Sequence, residues 1–165
     1  MNILDLEKSK IEFFEKIQIS TSDIYLKARK MEDICIKKNM ISLSAVQLGL
    51  PVNLFVYWAD FPNNNKNFSY FLDCSYVPLD EAKFVSIESC ASVVGKDYSR
   101  RFKINRYESI LVRGKKFNEN GKPIDFESNF SKGLDCAVFQ HEIDHFNKIL
   151  ISDIGEEIYF LKGPS

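Results

Sequence analysis

No stretch of this sequence stays apolar long enough to cross a bilayer as a helix. Met1 to Ser9 also lacks the charged start and apolar run of a secretory signal. Blocks of basic charge are missing too: 22 Lys and Arg against 23 Asp and Glu leave a formal net charge of −1. That balance argues against an electrostatic grip on nucleic acid. The expectation is a soluble, cytoplasmic protein with no membrane or nucleic-acid partner. Its four cysteines, Cys35, Cys74, Cys90 and Cys136, are then expected to be reduced, serving packing or a metal and not disulfides. Internal repeats and interdomain linkers are missing, and 165 residues suit one domain over residues 1–165. Histidine is scarce, with two in the whole chain.

What is present alternates between helical and strand-like patterns. Ser22–Lys38 carries apolar residues at Ile24, Ala28, Met31, Ile34 and Cys35, a helical spacing with Ser22 as N-cap. Pro62–Asn67, rich in asparagine, reads as an exposed loop between two aromatic strand-like runs. Phe68–Val77 and Lys83–Ile87 look like strands, and Ile110–Phe117 pairs with Pro123–Glu127 across the turn Asn118-Glu119-Asn120-Gly121. A second helix is expected over Leu134–Asn147. Helix, mostly antiparallel strands, then helix gives an α+β fold.

Both histidines fall in one pentapeptide, His141-Glu142-Ile143-Asp144-His145. On a helix this HExxH spacing stacks two imidazoles one turn apart with a glutamate beside them, the layout of a hydrolytic metal site. At about 100° per residue, Leu134, Val138, His141 and His145 share a narrow sector. Cys136, Phe139, Ile143, Phe146 and Leu150 gather opposite. A helix apolar on two sides is central, and a buried imidazole there is costly unless it is paired or bound to a metal. Asp144 points away from the histidine sector, which suits a structural role or the orientation of a ligand.

A catalytic metal usually takes three protein ligands and leaves one position for water. A third histidine does not exist. Glu156 or Glu157 would serve only with a tight reversal of the chain. Cys90, in Glu88-Ser89-Cys90-Ala91-Ser92, is better placed, directly after a strand-like run and flanked by small residues. A single cysteine is nevertheless more often a buried hydrophobe than a ligand.

Three segments, in order, resemble the motifs of the peptide deformylase family. Ser42-Leu43-Ser44-Ala45-Val46-Gln47-Leu48-Gly49 is similar to its GxGLAAxQxG motif, Glu88-Ser89-Cys90-Ala91-Ser92 to EGCLS, and Gln140-His141-Glu142-Ile143-Asp144-His145 to QHExDH. The likeness runs from about Tyr25 to Asp153 and includes Arg106-Tyr107-Glu108-Ser109-Ile110, similar to the arginine-led strand after the cysteine motif. The resemblance implies mostly antiparallel sheets packed around a central HExxH helix. It implies one divalent transition metal, natively ferrous iron and replaceable by zinc, nickel or cobalt, held by Cys90, His141 and His145. The implied reaction releases formate from the N-formyl-methionine of nascent polypeptides. Glu142 would move the proton, with Gln47 and the Ala91 backbone N–H donating to the formyl oxygen. Ile41, Ser42, Leu134 and Val138 are the expected substrate-binding residues, and the protein is expected to be a monomer.

The departures are concentrated in the first motif, where Met40 and Ser42 replace both glycines and Ser44 replaces an alanine. A β-carbon at residue 42 is expected to narrow the peptide groove. Asp73-Cys74 stands where the family usually has Asn-Pro. Only a short tail follows His145, so ribosome contact, if made, is expected to lack the family's long C-terminal docking helix. A rival reading is a deformylase-like protein that keeps the metal but binds peptides or cleaves another N-acyl amide. An HExxH endopeptidase and a purely structural module fit less well, because the first wants a third histidine and the second gives no reason for Glu142 between two imidazoles.

Overall fold

The computed structural model describes residues 2–5, 20–61, 67–93 and 100–158. Most of the expected loop, Pro62 to Lys66, lies outside them. The elements are helix α1 (Thr21–Lys38), strand β1 (Ser42–Ser44), a 3-10 turn (Ala45–Leu48), then β2 (Leu54–Trp58), β3 (Phe68–Pro78), β4 (Lys83–Glu88), β5 (Arg101–Tyr107), β6 (Ser109–Phe117) and β7 (Pro123–Ser131). Helix α2 (Leu134–Phe146), the short α3 (Ile151–Ile154) and β8 (Glu156–Ile158) complete the order. Two antiparallel sheets result, β1-β2-β3-β6-β7 and β4-β5-β8, so the fold is α+β.

At β2 the larger sheet is covered on both faces, and the alternation of that strand shows how. Leu54 and Val56 pack with Ala28, Met31 and Cys35 of α1. Phe55 and Tyr57, pointing the other way, pack with Val138, Phe139 and Ile143 of α2. All five β2 residues are therefore buried, as a strand sandwiched between two helices must be. The smaller sheet turns Phe102 and Ile104 inward against Leu150, Ile151 and Cys90. Helix α2 touches strands of both sheets and is buried nearly all round. Among the described residues no helix is long and apolar enough to cross a membrane.

Local chemistry sets the element ends. Ser20, and not Ser22, caps α1: its Oγ accepts from the Asp23 N–H at 3.2 Å. Asn39 closes that helix in the left-handed region at φ 52°. Asn118 Oδ1 accepts from the N–H groups of Asn120 and Lys122, shaping the β6–β7 turn. Strand β3 carries a register irregularity between Leu72 and Ser75 with Asp73 at φ 50°. There Gly114 on β6 lies so close that a Cβ would sit 2.7 Å from the Cys74 Cα. Helix α2 ends at Phe146, so Leu150 does not extend its apolar face. Leu150 instead precedes α3 and packs with Cys90.

Candidate metal centre

Two elements bring the polar residues together. Strand β4 ends at Glu88, and the chain then turns, with Val93 N–H donating to the Cys90 carbonyl at 3.1 Å. This leaves Cys90 buried at 7% exposure. Helix α2 supplies His141 and His145, whose rings lie 4.9 Å apart at 85°. Donor atoms of Cys90, His141 and His145 all lie within 4.8 Å of one another, the one such group of three or more among the described residues. Cys90 Sγ is 3.4 Å from His145 Nε2.

Around this trio runs a chain of charged contacts. His141 Nδ1 meets Glu88 Oε2 at 2.8 Å. Arg106 donates to both oxygens of Glu88, each at 2.8 Å, and its third contact is Asp144. Arg106 is 3% exposed, an arginine on the inward parity of β5 beside Phe102 and Ile104. Burial would raise the Glu88 carboxyl, but the hydrogen bonds from Arg106 and His141 hold it down at about 2. Burial lowers His145 well below the ordinary imidazole range, and the positive charges of His141 and Arg106 push the same way. His141 moves up, because contacts with Cys90 and Glu88 outweigh its own burial.

The first motif closes the other side. Gln47, 2% exposed, accepts from the Ser44 N–H at 2.8 Å through Oε1, which aims its Nε2 at Cys90 Sγ (3.4 Å) and Ser92 Oγ (3.2 Å). Ser42 Oγ donates to Glu142 Oε1 at 2.6 Å. Glu142 is 2% exposed, and its Oε2 has no hydrogen-bond partner among the described residues, nor has His145 Nδ1. Burial raises the Glu142 carboxyl, against the opposing pull of His141 and the Ser42 bond.

The structure thus brings Cys90, His141, His145, Glu142, Gln47 and Ser42 together. Ala91 is exposed next to Cys90. Val138 belongs to the core cluster on the inner side of α2 and Ile41 packs against that cluster, whereas Leu134 is 55% exposed at the start of that helix. Glu157 is ion-paired with Arg100 at 2.8 Å on β8, and neither it nor Glu156 joins the trio. Sequence reasoning did not single out the side chains of Glu88 and Arg106. The signal for Arg106 was available, as a charge at an inward position of an alternating strand. Gln140 was passed over as well: its amide binds the Tyr107 N–H and carbonyl and so ties α2 to β5.

One thiol and two imidazoles, buried and convergent, with a carboxylate orienting one ring, are a donor set that fits a divalent transition metal with an open position. The donors alone do not select among iron, zinc, cobalt and nickel.

A sequence model of a family described as polypeptide deformylase matches residues 5–157. The peptide deformylase of Thermodesulfovibrio yellowstonii is 31% identical over 93% of this chain and 89% of its own length. That of Aquifex aeolicus is 24% identical over 84% of this chain and 77% of its own. Among solved structures, a probable peptide deformylase from Synechococcus phage S-SSM7 superposes with a TM-score of 0.73 at 23% identity, covering 93% of this chain and 98% of that one. The Thermotoga maritima enzyme gives 0.72 at 21% identity, over 93% and 95%. These last two likenesses establish the fold.

Proposed function

The chain belongs to the peptide deformylase family, and from that premise we propose that it is a metal-dependent hydrolase releasing formate from the N-formyl-methionine of nascent polypeptides. The observation that carries the reading is the convergence of Cys90, His141 and His145 with Glu142 between the two histidines on α2. Those three side chains would hold the metal, which supplies a Lewis acid that makes water a competent nucleophile at neutral pH. Ferrous iron is the expected native ion, with zinc, nickel or cobalt able to replace it.

The protein's own groups divide the rest of the work. Glu142 accepts the proton of the attacking water at its carboxylate and passes it to the departing amine. Charge developing on the formyl oxygen is met by the Ala91 N–H and by the Gln47 Nε2, which gives up one of its two contacts, with Cys90 Sγ or Ser92 Oγ, to the substrate. Gln47 is suited to this because its own carbonyl is tied to the Ser44 backbone. The peptide runs beside Ile41 and Ser42. A cleft of about 600 Å³ lies next to this stretch, lined by Asn2, Ile3, Lys38, Met40 and Ala91. Val138 and Leu134, one turn apart on α2, would meet the methionine side chain. The protein acts as a single-domain cytoplasmic monomer on N-formyl-methionyl peptides.

The test is formate release from a formyl-Met tripeptide by anaerobically iron-loaded protein, compared with Glu142→Ala. Release that depends on Glu142 supports the reading. Full metal loading without release would pass the site to the rival, a deformylase-like protein with a changed substrate.

A further inference from the structure

The hydroxyl of Ser42 makes a contact that the family's glycine at this position cannot make. Its Oγ donates to Glu142 Oε1 at 2.6 Å across 100 residues of sequence, and a hydroxyl has one proton to give. With that proton committed to Glu142, Ser42 has none left to donate to a peptide carbonyl. The contact also distinguishes the two oxygens of the carboxylate: Oε1 is held, while Oε2 is buried with no partner among the described residues.

Placement favours rigidity. Ser42 sits in β1 with its Cα in register with Tyr57, and the adjoining backbone is fixed by Trp58 N–H donating to the Ile41 carbonyl at 2.8 Å. A serine has one side-chain torsion to settle, whereas a glutamate has three, the last of them broad. A short side chain on a paired strand therefore fixes the end of a longer one on α2, which is how a reacting group is kept near its productive geometry.

We infer that Ser42 is a positioning residue for the proton-transferring carboxylate of this chain, holding Oε1 of Glu142 so that Oε2 is the oxygen presented to the reaction. The inference rests on the deformylase reading of Glu142. It also separates two effects of the same residue: the β-carbon narrows the groove and acts on KM, while the hydroxyl acts on kcat.

Three variants resolve this with the iron-loaded protein and a formyl-Met tripeptide, metal content being checked in each. Ser42→Ala keeps the β-carbon and should lower kcat about tenfold, the effect of one lost hydrogen bond to a charged group, with KM within about twofold. Ser42→Thr restores a hydroxyl and should recover most of that kcat. Ser42→Gly should lower kcat like Ser42→Ala while also lowering KM. Crystal structures of the loaded wild type and Ser42→Ala give a readout independent of turnover, and the Glu142 carboxylate should rotate in the variant. A Ser42→Ala protein with wild-type kcat, a Ser42→Thr protein as slow as Ser42→Ala, or an unmoved carboxylate overturns the inference. A loaded wild type that releases no formate overturns the deformylase reading instead, and the carboxylate orientation then still decides whether Ser42 holds Glu142.

Discussion

Oε2 of Glu88 lies 2.8 Å from Nδ1 of His141, and Arg106 holds the same carboxylate through two further hydrogen bonds. An acceptor at Nδ1 fixes the tautomer of the ring and leaves Nε2 for another partner. Because Arg106 also binds Asp144 on α2, three residues around the histidine form a closed path from β4 through β5 to the helix. The orientation of His141 thus depends on side chains drawn from both the smaller sheet and α2.

The ligand assignment predicts one transition metal per chain, lost in Cys90→Ala, His141→Ala and His145→Ala. Metal analysis of purified variants checks this. Cys35→Ala, Cys74→Ala and Cys136→Ala should retain the ion, since each of those thiols is buried away from the trio. Retention by Cys90→Ala together with loss in Cys74→Ala would reverse the assignment.

Glu142 is read as moving a proton, not as a ligand. Glu142→Ala should therefore keep its metal and fold while formate release slows by roughly two to four orders of magnitude. Steady-state rates at saturating peptide and metal content measured on the same sample separate the two roles. Loss of the ion in that variant would move Glu142 among the ligands.

Glu88 links the site to acid stability. Its carboxyl is held at about 2 against an ordinary 4.5, so its contribution to folding is complete above pH 4.5 and is lost as pH falls from there towards 2. Over that window chelator-treated wild type should lose on the order of 3 kcal/mol more than Glu88→Gln. Urea unfolding at successive pH values measures it, and parallel pH slopes for the two proteins would refute it.

Arg106→Leu should be more damaging than either change to its partners. It leaves the buried carboxylates of Glu88 and Asp144 without their cation, a loss of about 3–5 kcal/mol. Thermal unfolding gives the comparison, and a shift no larger than that of an exposed pair such as Lys115–Asp125 would argue that solvent reaches the cluster.

Gly114→Ala tests the bulge. A β-carbon there would lie 2.6 Å from Cys74 Sγ and 2.7 Å from its Cα, so β3 or β6 must shift at a cost of about 1–3 kcal/mol. Denaturant midpoints read this directly, and an unchanged midpoint would mean that the bulge yields freely.

How much of this was legible in the sequence depended on distance along the chain. The stacked histidines and the β6–β7 hairpin were readable because four residues of helix and one Asn-Gly turn carry their own geometry. Asp144, expected to serve structure or the orientation of a ligand, is tied to Arg106, which also holds the Glu88 carboxylate beside His141. Strand β1, three residues long, falls below the length at which alternation can be seen. The Ser42 contact with Glu142 spans 100 residues and leaves no local trace. The α1 cap was misassigned by two positions because Ser20 and Ser22 are equivalent as sequence, and only the backbone decides which hydroxyl reaches the Asp23 N–H.

Cys90 and His145 stand 55 residues apart along the chain and 3.4 Å apart in space. An ion joining them ties off a loop that contains β5, β6, β7 and most of α2. In the chain-entropy account a covalent tie of that span is worth about 4 kcal/mol. A coordinated ion would act as the same kind of staple without needing an oxidising compartment. Its strength would follow the local supply of metal, so scarcity of the ion would loosen the fold as well as silence the chemistry.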